Sequence, residues 1–600
     1  MSSITASMPR PALRVSVRWH TVALPVVATA AAVWIAAWAW LTGNQPIRSD
    51  AQGYYDLALQ VAQNGPLAFE SQLRTYGYPF FLALLIRIVG PVPETVRTTG
   101  FVVQLALFIV AAWIGARRLG MALGMPGRTP WIYAATVLSP FVLIHAIQML
   151  TDVLSAILVY LVAALSVPTE PAGAAADPRS RRRVLLLAML ALALGGLAVI
   201  VRPANLILLP VLLLAWLYRT ARRRDLPWRS WPVLLAMLAL PFVPQMVLNQ
   251  RAYGEPRPLL MADLYASNTV VGVQVAKYGT MSIAGIPSRL YYNNPFRPAE
   301  GLSIGQFLLH DPVRFAGTLA IHAFALFDHD FPFLYVNDVD PWYRWPLAIP
   351  NYLFLLGGVV GLLLGLRWPL GADAAERERA RFSMALLGAT TGALVAIYLP
   401  SAVESRFSLS MYPLLAAPCV LAVGALGTAA RRRPAVLVPV SIAAALWVGG
   451  SIWASTWIQE QAPLLQSVRA SLATPLPPSP MGSYKVQVPE DWEPGQLVTI
   501  PFTVTNTGPD TWEVGGFFNV AMRVQILATK TEQHKLLPKD ARVYVNPTAP
   551  IAPGESADFV AMVETPTATG RYVLTVTAIR TGIEEPGPGF EKGIRVDRGR

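Results

Sequence analysis

The feature that most constrains this chain is a series of apolar blocks, each about twenty residues long, separated by short clusters of arginine. A helix of about 20 apolar residues crosses the roughly 30 Å hydrocarbon core of a bilayer. Charged residues make up only 14% of the sequence, and the mean hydropathy is +0.44, whereas about a quarter of the residues in a soluble domain are charged. The sequence therefore predicts a polytopic α-helical membrane protein.

The apolar blocks predict about eleven spanning helices within a transmembrane domain at residues 21–457. A short N-terminal tail, residues 1–20, precedes them. The predicted spans are 21–42, 98–116, 130–147, 152–167, 184–201, 204–218, 231–248, 346–366, 383–400, 408–428 and 435–457.

The arginines favour one orientation of these helices, because they cluster in alternate loops and cytoplasmic loops are enriched in Lys and Arg. The tail would be cytoplasmic, and everything after residue 457 would lie outside the cytoplasm. This distribution also accounts for the formal net charge of +13 and argues against nucleic-acid binding. The predicted localisation is the cell (plasma or inner) membrane, which the chain would cross many times. The clusters contain Arg10, Arg14 and Arg18; Arg117 and Arg118; Arg179, Arg181, Arg182 and Arg183; Arg219, Arg222, Arg223 and Arg224; Arg377, Arg379 and Arg381; and Arg431, Arg432 and Arg433.

Two long loops, 42–97 and 249–345, are predicted on the outer face. The first contains amphipathic stretches at Tyr54–Gln63 and Phe80–Val89, which we expect on the membrane surface. In the second, Pro312–Phe327 is either a further span or an interfacial helix. Because it is short and His322 interrupts it, we favour the interfacial helix.

A different pattern follows the predicted linker 458–483. Short alternating runs separated by turn residues indicate strands, and several of them in residues 484–600 predict an all-β sandwich outside the cytoplasm. Val504-Thr505-Asn506-Thr507-Gly508 before Trp512 resembles bacterial immunoglobulin-like modules. Trp492 and Trp512 could be exposed and bind carbohydrate. Alternatively, Trp512 could belong to the core of the sandwich. The predicted strands are Tyr484–Val488, Val498–Val504, Phe518–Leu527, Ala557–Val563 and Tyr572–Ala578.

Two acidic residues stand at predicted outer helix ends, where a charge needs a partner or a function. Asp50 follows the first span and Asp152 begins the fourth, so the topology places both at one membrane surface. Together they could bind a divalent ion, or one could act as a base. Either one could instead stabilise a helix N-terminus, where a carboxylate complements the free backbone N–H groups.

Three arginines lie at the same predicted surface and suit phosphate oxygens, because a guanidinium is planar and always charged. Arg74 is in the first outer loop, Arg202 separates the fifth and sixth spans, and Arg406 precedes the tenth. Arg406 could instead pair with Glu404. His145, near the outer end of the third span, is either a ligand or a buried histidine.

These residues fall in an order that resembles the membrane glycosyltransferases of the GT-C type, the broad family that includes protein O-mannosyltransferases and lipid A aminoarabinose transferases. The resemblance covers about residues 20 to 420. Its matching segments are Ser49-Asp50-Ala51-Gln52-Gly53-Tyr54-Tyr55, Arg74-Thr75-Tyr76-Gly77-Tyr78-Pro79, Thr151-Asp152, Arg202-Pro203, Leu248-Asn249 with Tyr253-Gly254, and Glu404-Ser405-Arg406-Phe407 with Pro413.

The resemblance implies an inverting transferase with a GT-C fold. It would move one sugar from a polyprenyl-phosphate donor to an extracytoplasmic glycan, lipid or protein acceptor. Asp50 would be the general base, and Asp152 would assist a divalent metal ion. The donor phosphate would lie on the cations, and four further side chains would line the substrate pocket. These are Arg74, Arg202 and Arg406 for the phosphate, and Tyr54, Tyr55, Tyr78 and His145 for the pocket. The alternatives are a flippase for a lipid-linked glycan and a ligase or polymerase that joins preassembled glycans.

Overall fold

The computed structural model describes most of the chain in two compact units. The first unit comprises residues up to 274, 296–333 and 342–455, and the second comprises 275–295, 334–341 and 456 onward. The predicted tail, except for His20, and positions 473–478 of the predicted linker lie outside the described residues. Those residues are 20–43, 47, 49–170, 177–260, 269, 272–283, 286–298, 302–472, 479–514, 520–528, 542–580 and 588–597.

The first unit is helical. The helix 437–460 crosses from the first unit into the second, and the helix 463–472 lies inside the second unit. The helices of the whole described chain are numbered in chain order. They are α1 His20–Gly43, α2 Ser49–Asn64, α3 Gly77–Val89, α4 Pro93–Ala122, α5 Thr129–Val137, α6 Pro140–His145, α7 Thr151–Ser166, α8 Pro178–Val201, α9 Leu208–Ala221, α10 Trp231–Ala239, α11 Phe242–Tyr253, α12 Ile304–His310, α13 Pro312–Phe327, α14 Arg344–Arg367, α15 Ala374–Tyr398, α16 Tyr412–Arg432, α17 Leu437–Glu460 and α18 Pro463–Leu472.

The protein is a polytopic α-helical membrane protein, as the sequence predicts. Within the described residues, eight helices are long and apolar enough to cross a membrane. A ninth candidate is the pair 228–239 and 242–253, which bends by 46° at its break. Pro241 stands in that break, and proline both lacks the backbone N–H and clashes with the preceding turn. The predicted span 231–248 is this bent pair.

The predicted number of about eleven spans is higher because two apolar blocks form shorter helices. The block 130–147 divides at Pro140 into α5, of 9 residues, and α6, of 6 residues. The block 152–167 forms α7, a helix of 16 residues that is almost entirely buried. Apolar sequence indicates burial, in protein as well as in lipid, so periodicity alone does not separate these two cases.

Helix α13 occupies the segment predicted as an interfacial helix. It is one of three shorter apolar helices in the described chain and is not long enough to count as a span. His322, in its middle, is fully buried, and its Nδ1 lies 2.6 Å from the carbonyl oxygen of Leu399. The histidine is therefore accommodated by the protein itself.

Helix α7 is held firmly at its C-terminal end. The last carbonyl groups of a helix have no partner inside it. Arg118 supplies three hydrogen bonds there, from Nε to the Ala164 carbonyl at 2.6 Å and from Nη2 to the carbonyls of Leu165 and Val167 at 3.3 Å each. Arg219 Nη1 donates to the Ser166 carbonyl at 3.0 Å. These contacts fix the axial position of the helix that carries Asp152 at its other end.

The second unit begins with a hairpin that the sequence did not predict. Strands β1 Val275–Ile283 and β2 Ile286–Asn293 pair antiparallel, and the short β3 Tyr335–Val336 pairs parallel with β1. The segment lies within the loop 249–345, which we expected to contain irregular structure and helix. Lys277 interrupts the alternation of apolar and polar residues along β1. Its side chain is buried, and its ammonium lies 5.7 Å from the centre of the Tyr292 ring.

The C-terminal part of this unit is an all-β domain, as predicted. Two sheets, one of four strands and one of three, share one apolar core. Trp512 and Trp492 are 1% and 4% exposed in that core, so the idea that they are exposed carbohydrate-binding residues is wrong. The strands are β4 Gly482–Val486, β5 Leu497–Asn506, β6 Val520–Ala528, β7 Arg542–Val545, β8 Ser556–Glu564, β9 Gly570–Arg580 and β10 Phe590–Val596. The strand order is β10-β9-β6-β7 in one sheet and β4-β5-β8 in the other. Two of these strands, β7 and β10, were not predicted.

Candidate active site

Asp50 lies in the first turn of α2, between two arginines from distant parts of the chain. Arg74 Nη2 donates to its Oδ1 at 3.0 Å, and Arg406 Nη2 donates to its Oδ2 at 3.3 Å. The side chain is nevertheless 50% exposed. Asp50 thus offers a carboxylate to a ligand while both of its oxygens are oriented by cations.

Arg406 connects Asp50 to two further carboxylates. Its Nη1 lies 3.6 Å from Oδ2 of Asp152, and its Nε donates to Oε2 of Glu404 at 2.6 Å. The pairing with Glu404 considered from the sequence therefore exists, and Arg406 reaches both aspartates as well. Because Asp152 and Glu404 have side chains only 2% and 6% exposed, this guanidinium is part of what keeps two buried charges compensated.

Arg202 holds Asp152 from the other side. Its Nη1 donates to Oδ1 of Asp152, and its Nε donates to the hydroxyl of Tyr398 at 3.1 Å. The guanidinium carbon lies 4.9 Å above the centre of the Phe407 ring, within the distance of a cation–π contact. Asp152 is in the first turn of α7, but the N-cap residue is Leu150 and no side chain caps that end. Its main partners are therefore the arginines.

The charged groups shift one another's ionisation. Burial alone would raise the pKa of Asp50, but Arg406 and Arg74 outweigh it and lower the pKa below the usual value. For Glu404 the balance is reversed, because burial raises the pKa by more than Arg406 lowers it. Asp50 is consequently ionised at neutral pH, and Glu404 is protonated more readily than Asp50.

Local sequence explains how Arg74 reaches Asp50. Gly53 lies one turn after Asp50 on α2, and a Cβ there would be 2.4 Å from Nη1 of Arg74. The next residue after the arginine, Thr75, donates from Oγ1 to the carbonyl of Ile200 at 2.5 Å. A Cβ on Gly77 would meet the same carbonyl oxygen at 2.7 Å. The small residues on both sides let the segment 74–77 lie directly against the end of α8.

The four residues predicted for a substrate pocket have different surroundings. Tyr54 lies beside the cluster, with Arg74 Cζ 4.6 Å from its ring centre and the Tyr78 ring edge-on at 5.3 Å. The hydroxyl of Tyr55 donates instead to the carbonyl of Pro91. His145 is buried, with Nδ1 2.9 Å from the carbonyl oxygen of Phe141. Tyr54 and Tyr78 therefore border the charged cluster, and the pocket role of all four stays a prediction.

Two aromatic residues at the cluster were not singled out from the sequence. Tyr398 ends α15 and binds Arg202, and its ring stacks on that of Phe407 at 4.9 Å. Phe407 itself directly follows Arg406. The sequence contains one usable signal for Tyr398, since it stands at the outer end of a predicted span as Asp152 and Arg202 do.

A divalent metal ion between Asp50 and Asp152 was also expected. In the structure the guanidinium of Arg406 contacts both carboxylates. The described part of the chain contains no group of three or more His, Cys, Asp or Glu side chains placed to hold a metal. The metal ion stays a prediction.

No protein-family model and no curated protein matches this chain. The structure is similar to that of ArnT from Cupriavidus metallidurans bound to undecaprenyl phosphate, with a TM-score of 0.42 and 13% identity, covering 75% of this chain and 71% of that chain. It is also similar to the archaeal oligosaccharyltransferase AglB from Archaeoglobus fulgidus in complex with an inhibitory peptide and a dolichol-phosphate. There the TM-score is 0.41 and the identity 14%, covering 74% of this chain and 56% of that chain.

With TM-scores below 0.5 and identities of 13–14%, this likeness carries no argument about chemistry. The proposal for this protein rests on the geometry of its own charged cluster.

Proposed function

We propose that the protein is an inverting glycosyltransferase that moves one sugar from a polyprenyl-phosphate donor to an acceptor outside the cytoplasm. The observation that carries the proposal is the half-exposed carboxylate of Asp50, held between Arg74 and Arg406 and next to two buried carboxylates. This arrangement offers a base and phosphate-binding cations within one site, which are the two kinds of group that transfer from a phosphate-linked donor requires.

The reaction would be a single displacement. The acceptor hydroxyl attacks the anomeric carbon from the side opposite the phosphate, and its proton passes to Asp50. The bond between the anomeric carbon and the phosphate oxygen breaks, and its electron pair leaves with the polyprenyl phosphate. Arg74 and Arg406 stabilise the negative charge that develops on the leaving phosphate. One displacement inverts the configuration at the anomeric carbon.

Donor binding would also make Asp50 a better base. With both arginines on it, the pKa of Asp50 is lowered, and a carboxylate with a low pKa accepts a proton weakly. A donor phosphate competes for the same guanidinium groups because charge-assisted, bidentate pairing with phosphate is favourable. As the arginines turn toward the phosphate, Asp50 loses stabilisation of its charged form and binds a proton more readily.

The orientation belongs to the same proposal. Helix α16 begins at Tyr412, a few residues after Arg406, and ends with Arg431 and Arg432 in its last turn. The candidate active site and this arginine cluster are therefore at opposite ends of a helix of spanning length. With arginine-rich ends on the cytoplasmic side, the tail would be cytoplasmic, and both the site and the C-terminal all-β domain would be extracytoplasmic.

The test compares Asp50→Asn with Asp56→Asn, an exposed aspartate on the same helix. We expect Asp50→Asn to reduce transfer by about 10³-fold or more without loss of the folded protein, and Asp56→Asn to have little effect. Mass spectrometry of the cell envelope, with and without the protein, would identify the sugar and the acceptor. Full transfer by Asp50→Asn would exclude its role as the base.

The same preparations distinguish the alternatives. A flippase would move a lipid-linked glycan across proteoliposomes without any transfer. A ligase or polymerase would use an oligosaccharide-diphosphate donor and leave a monosaccharide polyprenyl phosphate unused.

A further inference from the structure

A large groove lies along α16, apart from the charged cluster. Its volume is about 740 Å³, and α5 and the first part of α14 form its other walls. Val420, Val423, Gly424 and Gly427 supply an apolar floor of small and branched residues on α16. None of the carboxylates and arginines of the candidate active site is among the described residues that line it.

One end of the groove is cationic. Arg128, which precedes α5, and Arg431, in the last turn of α16, both line it. Within the described residues neither arginine forms an ion pair with a carboxylate. Arg128 donates from Nη1 to the carbonyl of Val420 at 3.5 Å. A guanidinium has five N–H donors, so most of its capacity remains for a ligand.

The position of Arg128 depends on a glycine. A Cβ on Gly424 would lie 1.8 Å from Nη1 of Arg128, so the guanidinium lies flat on the backbone of α16. This contact keeps the charge at the groove instead of extended into water. Arg431 is exposed on the same face of α16.

The other end of the groove contains a buried hydroxyl. Ser139 lines it and is only 5% exposed, and its Oγ has no hydrogen-bond partner among the described residues. A buried hydroxyl without a partner is unfavourable, so a ligand that supplies one is stabilised. The groove therefore combines a cationic mouth, an apolar length and a polar group that lacks a partner.

The cationic end is far from the candidate active site. Tyr412 and Arg431 are separated by nineteen residues of α16, which is roughly 28 Å at 1.5 Å per residue. That length is close to the thickness of the hydrocarbon core. A phosphate on Arg128 and Arg431 is consequently at the opposite membrane surface from one on Arg406, so the two cannot belong to a single headgroup.

We propose that this groove binds a phospholipid with an anionic headgroup from the leaflet opposite the candidate active site. Its phosphate lies on Arg128 and Arg431, because planar guanidinium groups suit phosphate oxygens and this charge has no carboxylate partner. One acyl chain lies over Val420 and Val423 in the direction of Ser139. The proposal rests on charge complementarity and on the shape of the groove, and it does not depend on the proposed transferase activity.

The test is native mass spectrometry of the full chain after delipidation in detergent, with dioleoyl phosphatidylglycerol, dioleoyl phosphatidylcholine and undecaprenyl phosphate as separate probes. We expect one phosphatidylglycerol to be retained in preference to phosphatidylcholine. The double variant Arg128→Gln/Arg431→Gln should weaken that binding by about tenfold or more, because it removes the charge-assisted contacts. Arg182→Gln, an exposed arginine of another cluster, is the control for general attraction to anionic lipid.

A second variant fills the groove without changing charge. Gly427→Leu places a side chain where a Cβ would have no other atom within 4 Å, and Gly449→Leu does the same on α17 outside the groove. Of these two variants, we expect Gly427→Leu to displace phosphatidylglycerol and Gly449→Leu to leave it bound. Equal binding by the double arginine variant and by Arg182→Gln would overturn the proposal. A second outcome would also overturn it: undecaprenyl phosphate is retained by the wild-type protein and by the double arginine variant but is lost in Gly427→Leu. The groove would then bind the polyprenyl chain of the donor instead of an anionic phospholipid.

Discussion

The two ends of α7 show how the same residue type is used in two ways. At the C-terminal end, which we call the carbonyl end, Arg118 and Arg219 donate to backbone carbonyls and are 8% and 3% exposed. At the N-terminal end, the carboxylate end, Arg202 and Arg406 contact Asp152, and Arg406 also contacts the half-exposed Asp50. At the carbonyl end both arginines are buried against backbone groups, whereas at the carboxylate end Arg406 also contacts a carboxylate that is half exposed to solvent.

The difference lies in what remains unsatisfied. Arg118 makes three hydrogen bonds to three carbonyls, and these partners cannot be exchanged without unwinding the helix end. At the carboxylate end, Oδ2 of Asp152 is buried and has no hydrogen bond within the described residues, because Arg406 stays 3.6 Å away. Among the three carboxylates that share Arg406, Asp50 is half exposed, so a new anion can take its place on this arginine. Arg219 also pairs with the buried Asp225 at 2.9 Å, so it is the half-exposed Asp50 on the shared Arg406, rather than the presence of arginine, that distinguishes the candidate site from a structural cluster.

After the loss of the Asp50 carboxylate, the largest expected effect comes from weakening the shared arginine. Arg406→Lys keeps a positive charge, but a single ammonium cannot reach three carboxylates and a phosphate in the way that a guanidinium does. We expect transfer to fall by about 10²- to 10³-fold while the chain remains folded. Transfer assays on purified protein, with the amount of folded protein measured in parallel, would check this. Unchanged transfer by Arg406→Lys would remove Arg406 from the mechanism.

The opposite result is expected at the carbonyl end. Arg118→Met should lower the free energy of unfolding by about 2–4 kcal/mol, because three buried carbonyls lose a charged donor, while transfer per folded molecule stays the same. Thermal unfolding in detergent, together with transfer assays, separates these quantities. Arg117→Met is the control, since Arg117 is exposed on the same helix. A loss of transfer without a loss of stability in Arg118→Met would mean that the two ends do not differ as described.

The charged residues of the candidate site could be predicted because topology constrains them strongly. Asp50, Asp152, Arg74, Arg202 and Arg406 are far apart in sequence, yet each lies on the same predicted side of the membrane, in the first outer loop or at the end of an apolar block. A charge at such a position needs a partner, and the structure brings all five together. Their placement in one cluster therefore follows from the sequence, whereas their catalytic roles remain predictions.

The aromatic partners and the exact number of spans were not predictable in the same way. Phe407 and Tyr398 meet only through the packing of α15 against the segment before α16, which no local pattern records. The burial of α7 against other helices gives the same apolar signal as lipid exposure. In the C-terminal domain, Trp492 was mistaken for a surface residue because a core aromatic and a binding aromatic look alike in sequence.

A smaller effect is expected from crowding Arg74. In Gly53→Ala the new Cβ would lie 2.4 Å from Nη1 of Arg74, so the guanidinium must move away from Asp50. We expect transfer to fall by about tenfold, since small displacements at a reacting centre are costly, while helix propensity makes α2 about 1 kcal/mol more stable. Gly392→Ala, in α15 with open space around it, should stabilise without affecting transfer. If Gly53→Ala retains full transfer, the close approach of Arg74 has no functional consequence.

The smallest effect is a shift in the acid limit of the pH profile. In the proposed mechanism, transfer needs the carboxylate form of Asp50, whose pKa is lowered because Arg406 and Arg74 outweigh the effect of burial. Activity should therefore persist as the pH falls and be lost only when the pH passes through this lowered value. Arg74→Gln removes one of the two cations, so the pKa of Asp50 rises and the acid limit moves to higher pH. The profile of kcat/KM measures this for the free enzyme. Arg87→Gln, an exposed arginine at the end of α3, should leave the limit in place. An acid limit that moves to lower pH in Arg74→Gln, or moves equally in both variants, would show that it does not report on Asp50.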